Sequence, residues 1–224
     1  MNGRIIKLIF KDMKLLLQPV VIFFFVLSAG MCFIPSYPRQ VIFFYVLVSL
    51  MQVFNYALQG RDHEFSGLLP VTKRESVLAR VLLISIVELL LLIFIAPFAL
   101  VVVPSVIPSE ILVNHAGMNL NLTLFAIVLI GYSVFNLILI TGGYKKQFKV
   151  NLRGFFALMS YMLVTLTLEL LIGVLKRGGT FLNGTSGADM LGQLPILLGG
   201  LAFFALMNML VYAIAARSYE RAEI

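Results

Sequence analysis

Apolar residues dominate the chain in six long runs that are separated by short polar connections. The runs cover residues 19–37, 41–59, 77–103, 120–141, 154–175 and 194–215. A helix needs about 20 apolar residues to cross about 30 Å of hydrocarbon. The pattern therefore predicts six transmembrane helices. Pro97 is expected to kink the long third run, because proline removes an intrahelical hydrogen bond.

Residues 1–17 precede the first run and follow a different pattern. Arg4, Lys7, Lys11 and Lys14 recur at spacings of three and four, which places them on one face of a helix. The apolar residues between them lie elsewhere around the helix. The segment is predicted to be an amphipathic interfacial helix on an anionic membrane surface. The alternative is a simple basic flank of the first span.

The composition agrees with this pattern. Of the 224 residues, 61% are hydrophobic and 12% are charged, whereas soluble domains are about 45–50% apolar. We interpret the chain as an all-α membrane protein with a single transmembrane domain over residues 1–224. The only cysteine, Cys32, lies in an apolar run, which excludes an internal disulfide and a cysteine-based metal cluster. The lipid bilayer is the expected environment, and no nucleic-acid partner is expected.

Lysine and arginine residues are divided unequally between the two sets of connections. If the N-terminus is cytoplasmic, fourteen of them fall on the inner side and three, Arg39, Lys176 and Arg177, fall on the outer side. Basic residues are typically retained on the cytoplasmic side of a membrane. Both termini are therefore predicted to be cytoplasmic, and residues 60–71 become the first cytoplasmic loop.

The loop at residues 60–71 mixes both signs of charge with large apolar side chains. Phe65, Leu68 and Leu69 stand close to acidic residues that include Glu64. This composition suits a short amphipathic helix that lies parallel to the membrane. An exposed apolar edge on the cytoplasmic side favours a protein partner. The alternative is a turn whose leucines dip into lipid.

The sequence after this loop contains a helix start signal. Thr72 and Glu75 match a capping box, in which the hydroxyl and the carboxylate each accept from a backbone N–H group. The third span is therefore predicted to begin near Thr72.

Glu64, the stretch LLPVTKRE at 68–75 and the stretch VLAR at 77–80 together resemble the membrane subunits of type-2 ABC transporters. The interfacial helix, the six spans and the inner termini also resemble that architecture. The resemblance implies that residues 60–71 form a coupling helix that docks on a separate ATP-binding subunit. It assigns the contact to four side chains: Glu64, Phe65, Leu68 and Leu69.

The resemblance also implies a complex and a location. The chain has no phosphate-binding loop of the form G-x-x-x-x-G-K-[ST], so it is not expected to be an enzyme, and ATP and Mg²⁺ are expected on cytoplasmic ABC ATPase subunits. A second permease subunit would complete a homodimer or heterodimer in the bacterial cell membrane. The connection after the fifth span is short, unlike that of members with large external domains, which favours export of amphipathic peptides or hydrophobic drugs.

Two carboxylates fall inside the apolar runs. Glu88 is interpreted as a possible cavity-lining residue that attracts a cationic group, or alternatively as a protonated carboxyl bonded to a neighbouring helix. Glu169 is expected near the outer surface, where Lys176 or Arg177 would screen its charge. Four polar residues of the spans are interpreted as hydrogen-bonding partners between helices: Asn136, Ser160, Thr165 and Asn208.

Two other functions stay open at this point. A proton-coupled secondary transporter would use Glu88 and Glu169 as proton carriers and would need no ATPase. A non-transporting membrane anchor or sensor would hold a cytoplasmic partner through residues 60–71.

Overall fold

The computed structural model describes residues 3–15, 19–34, 37–59, 71–102, 104, 118–145, 150–175 and 181–221. Nearly all of these residues are helical, and none of them forms a strand. They contain seven α-helices: α1 Gly3–Leu15, α2 Val20–Met31, α3 Arg39–Gln59, α4 Lys73–Pro97, α5 Leu122–Lys145, α6 Val150–Leu175 and α7 Gly187–Glu220. A π-helical turn, Phe98–Val102, continues α4, and a 3₁₀ turn, Phe181–Asn183, precedes α7. The all-α class is confirmed for this part of the chain.

Helix α5 lies at the centre of the bundle, packed mainly against α6 and α7. Gly200 of α7 allows the closest approach, because a Cβ atom there would lie 2.9 Å from the Cα atom of Ala126 in α5. Gly131 of α5 leaves room in the same way for the ring of Tyr161 in α6. Small residues at helix contacts are typical of packing within membranes.

Five of the described helices are long and apolar enough to cross a membrane: α3, α4 with its π turn, α5, α6 and α7. Helices α6 and α7 leave most of their apolar surface exposed, including Leu163, Leu170, Leu198 and Leu206. Soluble monomers rarely expose so much apolar surface. The fold is therefore compatible with a multi-pass membrane protein.

The predicted first span, residues 19–37, is shorter in the structure than the pattern suggests. Helix α2 has 12 residues, which extend about 18 Å at 1.5 Å per residue. Its last turn tightens, because the N–H groups of Phe33 and Ile34 donate to carbonyls three residues earlier. The Arg39 guanidinium then donates to the carbonyls of Cys32 and Ile34, both at 3.2 Å. A sixth span is reached only by counting α1 and α2 together across a bend of 80°, so the count of six stays a prediction.

Helix α4 begins where the capping box places it. The Thr72 backbone N–H donates to Glu75 Oε2 at 2.8 Å, and Glu75 N–H donates to Thr72 Oγ1 at 3.2 Å. The predicted helix start is confirmed. At the other end the α-helical pattern stops at Pro97 and continues as a π turn. The change in hydrogen bonding follows from the missing N–H of proline.

Helix α1 has three distinct faces. One face carries basic residues such as Arg4 and Lys7, which are exposed. A second face, with Leu8 and Asp12, is buried against α4. The third face is apolar but exposed, and it carries residues such as Phe10, which is 60% exposed. This division suits a helix that lies between protein, lipid and headgroups.

Candidate functional site at the base of the loop

The four side chains predicted to contact a partner, Glu64, Phe65, Leu68 and Leu69, lie outside the described residues, as do all of residues 60–70. The structure does describe the helix ends that hold this loop. Helix α3 ends at Gln59, and α4 begins after Thr72. We use the name loop base for the set of side chains that surrounds these two helix ends: Asp12, Phe54, Lys73, Arg74, Arg80, Tyr144, Tyr219 and Glu220.

A buried ion pair joins α1 to α4 in the loop base. Arg80 Nε lies 3.3 Å from Asp12 Oδ2, and the two side chains are only 1% and 3% exposed. Lys11 Nζ lies 3.1 Å from the other carboxylate oxygen of Asp12. The Arg80 guanidinium also lies over the ring of Phe54 in α3, at 5.6 Å from the centroid. Three helices are therefore tied to one buried charge pair two turns above the start of α4.

A second ion pair joins the start of α4 to the end of α7. Arg74 donates from Nε and Nη2 to the two carboxylate oxygens of Glu220, at 2.6 and 3.1 Å. This is the bidentate geometry that a guanidinium and a carboxylate favour. Lys73 Nζ lies 5.4 Å from the ring centroid of Tyr219 in α7. The pair is exposed, so its role is to position the two helix ends rather than to supply much stability.

An aromatic series connects these two pairs at the same end of the bundle. The rings of Phe54 and Tyr144 meet edge to face with centroids 6.0 Å apart. The rings of Tyr144 and Tyr219 follow at 5.0 Å. Aromatic pairs at these separations attract one another. The loop base therefore forms a continuous set of contacts among α1, α3, α4, α5 and α7.

Asp12 was not among the residues that the sequence pattern pointed out, and Arg80 entered as a basic residue of the inner side and as the last residue of the VLAR stretch. A signal for Asp12 was nevertheless present. It is the one acidic residue of a basic helix, and it shares a helical face with Ile5 and Leu8 at spacings of seven and four. An acid on the protein-facing side of such a helix indicates a buried partner.

Glu88 lies in the interior of the bundle. Its side chain is fully buried, and Oε2 accepts a hydrogen bond of 2.8 Å from Asn136 Nδ2 of α5. Asn136 Nδ2 also donates to Asn208 Oδ1 of α7 at 3.1 Å. This arrangement corresponds to the alternative of a carboxyl group bonded to a neighbouring helix. The cavity-lining role of Glu88 stays a prediction.

Glu169 lies at the end of the bundle opposite the loop base, and its expected position near the outer membrane surface stays a prediction. Glu169 Oε1 accepts from the backbone N–H of Met118 at 2.9 Å, while Lys176 and Arg177 lie outside the described residues. Beside it, Gln193 of α7 accepts from Leu122 N–H at 3.1 Å. The side-chain amide of Gln193 therefore binds the start of α5 to α7.

The assignment of four polar residues as interhelical partners is half correct. Asn136 and Asn208 bridge helices. Thr165 and Ser160 instead donate to carbonyls of their own helix, Thr165 to Tyr161 at 2.9 Å and Ser160 to Phe156 at 2.7 Å. Serine and threonine hydroxyls in helices commonly bond to the carbonyl four residues earlier, which satisfies them without a second helix.

Comparisons with known proteins do not assign this site. No protein-family model, no curated protein and no solved structure matches the chain. Among the described residues, no three His, Cys, Asp or Glu side chains come together as a metal site. The function is therefore inferred from the geometry of the loop base and from the sequence pattern.

Proposed function

We propose that the chain is the membrane permease subunit of a bacterial ABC transporter that exports amphipathic peptides or hydrophobic drugs. ATP and Mg²⁺ bind to separate cytoplasmic ATPase subunits, which dock on residues 60–71. The loop base is the observation that carries the proposal. A docking loop can drive transport only if its displacement reaches several spans, and both helix ends that hold this loop are connected to other helices.

The contacts of the loop base suit the transmission of motion in two directions. The capping box at Thr72 fixes the first turn of α4, so the loop meets a rigid helix rather than a frayed end. From there, Arg80 and Asp12 connect α4 to α1, and Arg74 and Glu220 connect α4 to α7. A rigid-body displacement of the loop by a partner would move these helices together.

The direct test is purification of the affinity-tagged chain in mild detergent from its native cells. We expect a nucleotide-hydrolysing subunit to co-purify and its ATP turnover to depend on this chain. Transport by the purified chain alone in a proton gradient would instead support a secondary transporter. A bound partner without ATP turnover would support a membrane anchor or sensor.

The proposal fixes the orientation of the chain. With fourteen of the seventeen lysines and arginines inside, residue 179 is external and residue 147 is cytoplasmic. A single cysteine introduced as Gly179→Cys in a Cys32→Ser background should react with an impermeant maleimide in intact cells, and Gln147→Cys should react only after permeabilisation. The reverse labelling pattern would place residues 60–71 outside and remove the docking proposal.

Oligomerisation is a further expectation, because one copy supplies only half of a two-sided translocation pathway. The exposed apolar faces of α6 and α7, such as Leu163 and Leu206, offer surface both for lipid and for a second permease subunit. Cross-linking in mild detergent should capture two permease subunits with two ATPases. A fully active complex with one copy of each would contradict this stoichiometry.

A further inference from the structure

The Glu88 carboxyl group is a buried ionisable group that the docking proposal does not use. It lies between α4, α5 and α7 and is 0% exposed. Oε2 has one partner, Asn136 Nδ2, at 2.8 Å. Among the described residues, Oε1 has no hydrogen-bond partner. An ionised carboxylate in this setting would place charge on a buried oxygen that has no hydrogen-bond donor.

The orientation of the two amides shows which oxygen of Glu88 can carry a proton. Asn208 Nδ2 donates to the carbonyl of Phe204 at 2.9 Å, which turns Asn208 Oδ1 towards Asn136. Asn208 Oδ1 therefore accepts from Asn136 Nδ2 at 3.1 Å, and the same amide nitrogen donates to Glu88 Oε2. Because the carbonyl oxygen of a carboxylic acid is a better acceptor than its hydroxyl oxygen, we expect a proton on Glu88 to reside on Oε1.

Among the residues that the structure describes, none supplies a positive charge beside Glu88. Tyr132 in α5 and Tyr161 in α6 are fully buried titratable groups of the same core. The Tyr132 phenol donates to the carbonyl of Phe43 at 3.2 Å, and the Tyr161 phenol donates to the carbonyl of Gln40 at 2.9 Å. The hydrogen of each phenol is therefore directed at a backbone carbonyl and not at Glu88.

The basic residues of the neighbouring helices lie at the helix ends. Arg80 is eight residues from Glu88, or about 12 Å along α4, and it is paired with Asp12. In α3, Arg39 bonds to carbonyls at the end of α2, and in α7 Arg217 follows Asn208 by nine residues. An ionised carboxylate without a cation is very costly in such an interior, so the neutral acid is the stable form.

We propose that Glu88 is a proton-binding site of the bundle core. It holds a proton on Oε1 while α4, α5 and α7 are packed as in this structure. When these helices separate and water reaches Oε1, the O–H bond breaks, the proton passes to water as hydronium and the carboxylate remains. Repacking requires the reverse step, because a charged carboxylate is very costly in an apolar, fully buried position.

Binding of the proton by Glu88 in the packed state does not depend on any ATPase. Release of the proton during a transport cycle rests on the proposed function. If helix separation accompanies ATP-driven transport, the proton leaves and returns once in each cycle. External pH then influences the balance between the packed and separated states. Proton binding by Glu88 can be tested on the isolated chain without an ATPase. A negative result in that test would therefore be distinguishable from a failure of the docking proposal.

Infrared spectroscopy of the full chain in lipid nanodiscs provides the test. We expect the C=O stretching band of a protonated carboxyl group from about pH 6 to about pH 8, where an ordinary glutamate is ionised. Glu88→Gln should abolish this band, since glutamine keeps the size and the acceptor of the side chain but has no acidic proton. The matched control is Glu169→Gln, which removes another buried carboxyl group of the spans and should leave the Glu88 band in place.

A second variant keeps the test decisive if Glu88→Gln does not fold. Asn136→Leu removes the donor to Oε2, so the C=O band of Glu88 should remain but move to a higher frequency. A wild-type spectrum without a protonated-carboxyl band in this pH range overturns the proposal. A band that survives Glu88→Gln, or one that Asn136→Leu leaves at the same frequency, also overturns it.

Discussion

Replacing Asp12 by asparagine is expected to lower the free energy of unfolding by about 3–5 kcal/mol, because removing one partner of a buried ion pair leaves the other charge uncompensated. The substitution keeps the size of the side chain but removes the charge that faces Arg80 at 3.3 Å. Arg80 is only 1% exposed in this position, so water cannot replace the carboxylate. The measurement is reversible unfolding of wild-type and variant protein in mixed micelles.

Two further variants separate the effect of the charge from the effect of packing. Asp12→Leu combined with Arg80→Met replaces the pair by apolar side chains, and such replacements are often neutral or stabilising. Arg74→Met should change stability little, because its pair with Glu220 is exposed. The interpretation fails if Asp12→Asn is as stable as the wild type, or if the double variant is no more stable than Asp12→Asn.

The features that were predictable from the sequence depend on neighbours along the chain. The capping box at Thr72 needs only Glu75 three residues later, and it appears in the structure as expected. The long apolar helices α3 to α7 follow from the length of the apolar runs. Because these signals are local, one sequence is enough to reveal them.

The pairings that could not be predicted join residues that are distant in the sequence. Asp12 and Arg80 are 68 residues apart, and Glu88 and Asn136 are 48 apart. The hydrophobic pattern indicates which residues face the protein but not which residue of another helix they meet. The shortness of α2 was missed for another reason, since an apolar run reports composition and not the residue at which helical hydrogen bonding ends.

The docking proposal predicts that Phe65→Ala and Leu68→Ala each weaken association with the ATPase. Truncating an aromatic or aliphatic anchor at the centre of a small interface typically costs more than about 1 kcal/mol, which corresponds to about fivefold weaker binding. Helix insertion and folding should survive, because the loop lies outside the apolar runs. Co-purification of the ATPase and substrate-stimulated ATP turnover are the measurements.

The loop base supplies the controls for this experiment, because docking and transmission are separate steps. Thr72→Ala should cost about 1 kcal/mol of local helix stability and impair coupling less than the two loop variants. The Asp12→Leu and Arg80→Met double variant should bind the ATPase normally but transport less for each ATP hydrolysed, since it lacks the charge pair that joins α4 to α1. The proposal is abandoned if Phe65→Ala and Leu68→Ala leave partner binding, ATP turnover and transport unchanged in well-folded protein.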